Sequence, residues 1–222
     1  MLASWGIAAA EIFPLDAIGR LFVGSSGLCS GFVVRSEERQ LAWLGGVATA
    51  YETWVATAGH CVQSEQGFDF RPIRGTVVFS GGRVIGMSGG GQWDVAVLQF
   101  MTPERAPVLL PAFGHSLQVG DPLLLVGFGR GALMARVSPF EGYDERRERL
   151  RIGGYVSPGD SGGPVLIPGT RQVVGIAVLT TLDVPPSISN PGLYCAFVAC
   201  AVKPPYYASR IDNLRGVVVW DR

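Results

Sequence analysis

Residues 157–165 read SPGDSGGPV. Ser161 stands in this stretch between Asp160 and two glycines, Gly162 and Gly163. A serine hydroxyl is a weak nucleophile at its free pKa and needs a base beside it. It also needs a turn that exposes its oxygen and aims backbone N–H groups at the charge that develops during attack. Gly159 can take up backbone conformations that other residues resist. The N–H groups of Gly159 and Ser161 are therefore candidate oxyanion-hole donors, and such a donor typically contributes about 3 kcal/mol of transition-state stabilisation. Taken alone, the stretch reads equally well as a glycine-rich hairpin turn.

Two further stretches give it company. TAGHC at 57–61 carries His60, one of only 2 histidines in the chain. The other, His115, lies between Gly114 and Ser116 and reads as structural or exposed. WDVAVLQF at 93–100 places Asp94 at the mouth of an apolar run. An aspartate entering such a strand needs a partner, and an imidazole N–H supplies one while fixing the ring tautomer. In the order His, Asp, Ser, the candidate catalytic set is His60 as general base, Asp94 as its orienting carboxylate and Ser161 as nucleophile.

Around these motifs the chain alternates short β-type runs with Gly, Pro and polar clusters. The runs are IGRLFVG at 18–24, SGFVV at 30–34, TWVATA at 53–58, GTVVFS at 75–80 and DVAVLQF at 94–100. After a Pro-rich connector at 101–121 come PLLLVGFG at 122–129, GPVLI at 163–167, QVVGIAVLT at 172–180 and GLYCAFVA at 192–199. The fold class is all-β, barrel or sandwich. The connector divides the chain into an N-terminal unit, 1–105, with His60 and Asp94, and a C-terminal unit, 106–222, with Ser161. A helix is expected over YYASRIDNLRG at 206–216, where Tyr207, Ile211 and Leu214 recur at i, i+4, i+7 and Gly216 ends the pattern. The tail GVVVWDR reads as a further strand or a docked extension. The charged run YDERRERLR at 143–151 reads as a solvated loop or one exposed helical turn.

Hydrophobic residues make up 48% and charged residues 16% of the 222, a globular composition. Lys+Arg and Asp+Glu are both 18, so the net charge is zero. Nucleic acid and anionic membrane surfaces are thereby disfavoured as partners. No apolar run reaches the roughly 18 to 20 residues of a membrane-spanning helix. No two of the 4 cysteines have the CxxC spacing of a zinc site, and neither metal nor cofactor is expected. The opening MLASWGIAAA is apolar and ends in small residues but lacks a basic start, so it reads as a trimmed leader, an expression artefact or an N-terminal strand.

Together the three motifs resemble the chymotrypsin-like (trypsin-fold) serine peptidases over most of the chain. TAGHC resembles that family's histidine motif, WDVAVLQF its aspartate motif and GDSGGP its nucleophile motif. CSGFVV at 29–34 resembles the strand that opens the first barrel's catalytic region, and PGLY at 191–194 a late strand beside the specificity pocket. The succession IGRLFVG, CSGFVV, ATAGHCV resembles the bacterial secreted branch, which includes glutamyl endopeptidases. The resemblance implies two six-stranded antiparallel barrels with the active site in the cleft between them and polypeptide as substrate. It also implies a Cys29–Cys61 disulfide, and hence an oxidising, secreted or periplasmic location. A monomer is the simplest state. Cys195 and Cys200 would lie roughly 16 Å apart in extended chain, too far to bridge, and read as buried free thiols.

The sequence departs from the family at three places. Vertebrate members pair the aspartate before the nucleophile, here Asp160, with an amine created by cleavage, and no Arg-Ile-Val-Gly-Gly site precedes the first strand. Arg130 or an amine from other processing is a candidate partner. The serine often placed beside the triad aspartate corresponds to Val178, which leaves Asp94 to backbone N–H groups near Gly59 and His60. The specificity pocket maps to Tyr155, Val156, Pro158, Val178, Leu179, Thr180 and Gly192. Tyr155 at its base is not acidic, so Arg or Lys preference is not expected. Ala177 stands where glutamyl endopeptidases carry a histidine, so Glu preference is not expected either. An uncharged pocket for small or apolar side chains follows, with Tyr155 filling it or lending its hydroxyl. The activity implied is that of a serine endopeptidase. Its competitors are a latent or non-catalytic peptide-binding domain of the same fold, and an esterase; the latter is disfavoured because GDSGG is not GxSxG and no βαβ alternation is present.

Overall fold

Short apolar and β-branched runs punctuated by Gly, Pro and polar turns organise most of the described residues into strands, a few of which, such as β9 and β10, alternate buried and exposed side chains. The computed structural model describes residues 15–24, 26–43, 45–62, 67–88, 93–144, 146, 148–154, 156–178 and 206–220. Six strands, β1 (Ile18–Val23), β2 (Ser26–Trp43), β3 (Gly46–Thr57), β4 (Phe68–Pro72), β5 (Phe79–Ser88) and β6 (Val95–Thr102), close into an antiparallel barrel in the order β1-β2-β3-β6-β5-β4. Seven more follow: β7 (Leu110–Pro111), β8 (Pro122–Gly127), β9 (Met134–Tyr143), β10 (Arg149–Ile152), β11 (Pro164–Leu166), β12 (Gln172–Val178) and β13 (Tyr206–Arg210). Of these, β8-β9-β10-β13-β12-β11 close into a second six-stranded antiparallel barrel through the β11–β12 pairing, and β7 adds a short parallel pairing to β12.

The core explains why several strands read as unbroken apolar runs. On β8, Leu123 and Leu125 pack inside the second barrel with Phe140, Leu150 and Val165. Their neighbours Leu124 and Val126 face the other way and join the apolar cluster of the first barrel. Both faces of β8 are thus buried, the pattern of a strand sandwiched between two layers. Phe70, Phe79 and Phe100 fill the first barrel with ring centroids 5.5 to 6.5 Å apart.

Three expectations need correction. The run at 75–80 is not one strand: β5 begins only at Phe79, and β4 precedes it at Phe68–Pro72. The strand expected at 30–34 is part of a much longer β2, which continues with β3 as a hairpin arm paired from Arg35↔Trp54 to Trp43↔Gly46, buried at its base and exposed from Glu38 outward. The arm's middle carries ion pairs such as Arg39–Glu52, and farther out Leu41 and Val47 are exposed. The helix expected at 206–216 is a strand, β13, followed by a 3-10 helix at Ile211–Gly216. Tyr206–Arg210 pairs with both β10 and β12, so ladder bonds override the apparent helical spacing. The tail docks: the Trp220 ring meets Trp54 at 5.7 Å and Phe113 at 5.3 Å, both edge-on, and its indole N–H donates to Leu214 O. The strand expected at 192–199, the opening MLASWGIAAA, Cys195 and Cys200 lie outside the described residues.

Cys29 and Cys61 form a disulfide with their Cα atoms 6.1 Å apart, joining β2 to the turn that carries His60. The bridge spans 32 residues. Restriction of the unfolded chain over such a loop corresponds to about 3 to 4 kcal/mol. Replacing both cysteines by alanine should lower the melting temperature by about 6 to 16 °C, as calorimetry would measure.

Candidate active site

Strand register brings His60 and Asp94 together. Thr57 at the end of β3 pairs with Ala96 near the start of β6. The 3-10 turn Gly59–Val62 therefore begins beside the residue that precedes β6. Asp94 grips this turn at two points: Oδ1 accepts the His60 backbone N–H at 2.8 Å, and Oδ2 lies 2.8 Å from His60 Nδ1. Gly59 is required by close approach, because a Cβ there would sit 2.4 Å from Ser88 O and 3.1 Å from Asp94 Oδ1. The Asp94 side chain is 12% exposed and that of His60 36%.

Asp94 has a φ of +37°, uncommon for any residue but glycine. The second barrel braces it. The hydroxyl of Ser209, buried on β13, donates to the carbonyl of Trp93, and Gly216 lies flat against the Trp93 ring. Val178 is buried at the end of β12. Sequence reasoning missed Ser209.

The turn at 157–163 is held by hydrogen bonds within itself and to β12. Asp160 N–H donates to Ser157 O at 3.0 Å, Gly162 N–H to Ala177 O at 2.8 Å and Gly163 N–H to Asp160 O at 2.8 Å. The Pro158 carbonyl accepts the Arg130 N–H at 2.8 Å. Among the described residues, the N–H groups of Gly159 and Ser161 have no acceptor. Gly159 has a φ of +98°, and a Cβ there would meet Phe128 O at 2.4 Å. The turn thus leaves two backbone donors, Gly159 N–H and Ser161 N–H, without an acceptor among the described residues. Ser161 itself is buried. Its carbonyl lies 4.0 Å from Cys61 Sγ and accepts the Ser30 N–H at 2.8 Å, which seats it next to the His60 turn. No hydrogen bond joins the His60 ring to the Ser161 hydroxyl among the described residues; such bonds are often long in a free enzyme and tighten on substrate.

The fully buried Asp160 carboxylate finds its partner in Arg136 on β9. Arg130, a candidate from the sequence, is not that partner: its side chain is exposed, and it contributes its backbone N–H to Pro158 instead. The second carboxylate contact is the Ser157 N–H, which donates to Asp160 Oδ2 at 2.8 Å. Cys29, His60 and Cys61 place three potential metal-ligating atoms within 4.8 Å of one another, but both sulfurs are committed to the disulfide.

The family described as "Trypsin-like peptidase domain" matches residues 29–176, a span that takes in both barrels' candidate residues. The chain belongs to this family. Among solved structures, it is similar to the serine endoprotease from Yersinia pestis, with a TM-score of 0.59 and 16% sequence identity, over 75% of this chain and 55% of that one. The chain thus spans about half the length of that structure, and the likeness is one of fold. No curated protein matches the sequence.

Around the candidate pocket of this trypsin-like domain, Val156 is buried with Leu123, Leu125 and Phe140, Pro158 is half-buried and Val178 is buried. Tyr155, Leu179, Thr180 and Gly192 lie outside the described residues. No helix among the described residues is long and apolar enough to cross a membrane.

Proposed function

We propose that this trypsin-like domain is a serine endopeptidase working through a Ser161–His60–Asp94 triad and an acyl-enzyme intermediate. The observation that carries the reading is the two-point grip of Asp94 on His60, at 2.8 Å to the ring and 2.8 Å to the backbone. That grip holds the Nδ1 proton toward the carboxylate and leaves Nε2 as the base. Ser161 Oγ attacks the peptide carbonyl while its proton passes to Nε2. The oxyanion takes the N–H groups of Gly159 and Ser161. His60 then gives the proton to the leaving amine, the C–N bond breaks, and water hydrolyses the ester by the reverse proton path. In this division of labour residues 1–105 supply base and carboxylate, and residues 106–222 supply the nucleophile.

An extended polypeptide docking beside Val178, with an uncharged pocket preferring small or apolar side chains, completes the reading. A preference for Glu finds no support at Ala177: both its backbone groups hold the turn, and its methyl offers no cation. The pairing of Asp160 with Arg136 supports a turn that is formed without a new N-terminal amine. The disulfide supports an oxidising, secreted or periplasmic setting. A latent peptide-binding domain is the second reading, favoured by the unformed His60–Ser161 hydrogen bond.

Incubation with casein separates the two. The endopeptidase reading expects internal cleavage with new N-termini read by mass spectrometry. Intact casein after prolonged incubation at neutral pH would leave the latent reading standing.

A further inference from the structure

We infer that Ser30 is a positioning residue for the oxyanion hole, an inference that rests on the proposed endopeptidase activity. Ser30 is fully buried on β2, directly after Cys29. Each of its polar groups is engaged. Its N–H donates to Ser161 O at 2.8 Å and its carbonyl accepts the Thr57 hydroxyl at 2.8 Å. Its hydroxyl accepts the Phe128 N–H at 2.9 Å and donates to Gly159 O at 2.7 Å. Apart from the Thr57 contact, these bonds run from the first barrel into the second.

Their targets are what single Ser30 out. Gly159 and Ser161 are the residues of the turn whose N–H groups have no acceptor among the described residues, and Ser30 bonds the carbonyl of both. In a trans peptide the C=O and N–H point to opposite sides of a rigid plane. The Pro158 carbonyl, held by the Arg130 N–H, directs the Gly159 N–H away from Arg130. The next plane begins at the Gly159 carbonyl. Glycine at φ +98° allows that plane to rotate with little steric penalty. That plane also carries the Asp160 N–H, so the Ser30 hydroxyl on the Gly159 carbonyl and the Ser157 carbonyl on the Asp160 N–H hold it from opposite sides. Because the hydroxyl already accepts from Phe128, its proton is directed at Gly159 O. Alanine at 30 would keep the N–H bond to Ser161 and lose both hydroxyl bonds, so the plane that adjoins the Gly159 N–H would lose one of its two anchors while both donors remain.

Ser36 provides the control. It lies on the same strand, is buried, and its hydroxyl also makes two hydrogen bonds, 3.0 Å to Thr53 Oγ1 and 3.0 Å from the Ala106 N–H. Those bonds are remote from the turn. The test is inactivation by an alkyl fluorophosphonate, resolved into a binding constant and a limiting rate across pH. Ser30→Ala should slow the limiting rate by about tenfold or more, with the binding constant and the shape of the pH profile unchanged. Ser30→Gly removes the same hydroxyl and should behave alike if the alanine variant folds poorly. Ser36→Ala should lower the melting temperature yet leave the limiting rate as in the unmutated protein. An unchanged rate in both Ser30 variants, or an equal loss in Ser36→Ala, would overturn the role of Ser30 alone. An unmutated protein that the probe does not modify would overturn the endopeptidase reading and this inference with it.

Discussion

Replacing Asp94 with asparagine is expected to lower kcat by about four orders of magnitude while the fold persists. The amide is nearly the same size, tolerates the positive φ, and can still accept the His60 backbone N–H. Its NH2 group can donate to Nδ1, which moves the ring proton to Nε2 and removes the base from the serine. The carboxylate is also tuned for this role. Burial raises its pKa, but the hydrogen bond from His60, the charge on that imidazole, the His60 backbone N–H and the charge of Arg149 outweigh burial and leave it below the ordinary aspartate value. The sign follows by linkage. A carboxyl whose folded pKa is depressed contributes stability that is fully present above its unfolded value and is lost as pH falls through the folded one. The unmutated protein should therefore exceed Asp94→Asn in stability near neutrality, and the gap should close in acid. Urea titrations of both proteins at neutral and acidic pH measure this, and a gap that stays constant would contradict it.

Arg136→Ala is expected to cost about 3 to 5 kcal/mol, because it leaves the fully buried Asp160 carboxylate without its counter-charge. The damage should not stop at stability. Asp160 lies in the turn itself, and the oxygen that pairs with Arg136 also accepts the Ser157 N–H at 2.8 Å. Gly127 and Gly129 crowd the carboxylate closely: a Cβ on either would come within 2.9 Å of Asp160 Oδ1. A carboxylate without Arg136 would turn toward water and carry Gly159 and Ser161 with it. Activity should then fall about a hundredfold, as when an oxyanion donor is lost. Denaturant titration and the rate of casein cleavage check the two effects. Removing both charges with Arg136→Met and Asp160→Asn should recover stability more than activity. Full activity in Arg136→Ala would mean that the turn does not depend on the ion pair.

The all-β class and the candidate His60, Asp94 and Ser161 were legible because each rests on local signals. Strand period, turn residues and short motifs are written within ten residues or so. Arg136 and Ser30 were not legible, because their roles arise from pairings across 24 and 129 positions. Nothing near Arg136 distinguishes it from Arg130, which lies closer to the glycines that contact Asp160. The β2–β3 arm escaped notice because its outer half is exposed yet rich in apolar residues such as Leu41, Ala42, Val47 and Ala48, and so offers no polar–apolar alternation. The segment 206–216 misled for the opposite reason: residues from a strand and from a following 3-10 helix happened to fall at helical intervals, and only the pairing of β13 with β10 and β12 decides between them. Ser209 braces the peptide before Asp94 from a strand far along the chain, where the local sequence carries no sign of it.

The central claim is that Ser161 is a nucleophile activated by His60. Treatment with a fluorophosphonate, followed by intact-mass measurement and peptide mapping, tests it most directly. One adduct on the peptide containing Ser161, absent in Ser161→Ala and in His60→Ala, is the predicted result. No adduct on folded, disulfide-bonded protein, or labelling that persists in Ser161→Ala, would contradict it.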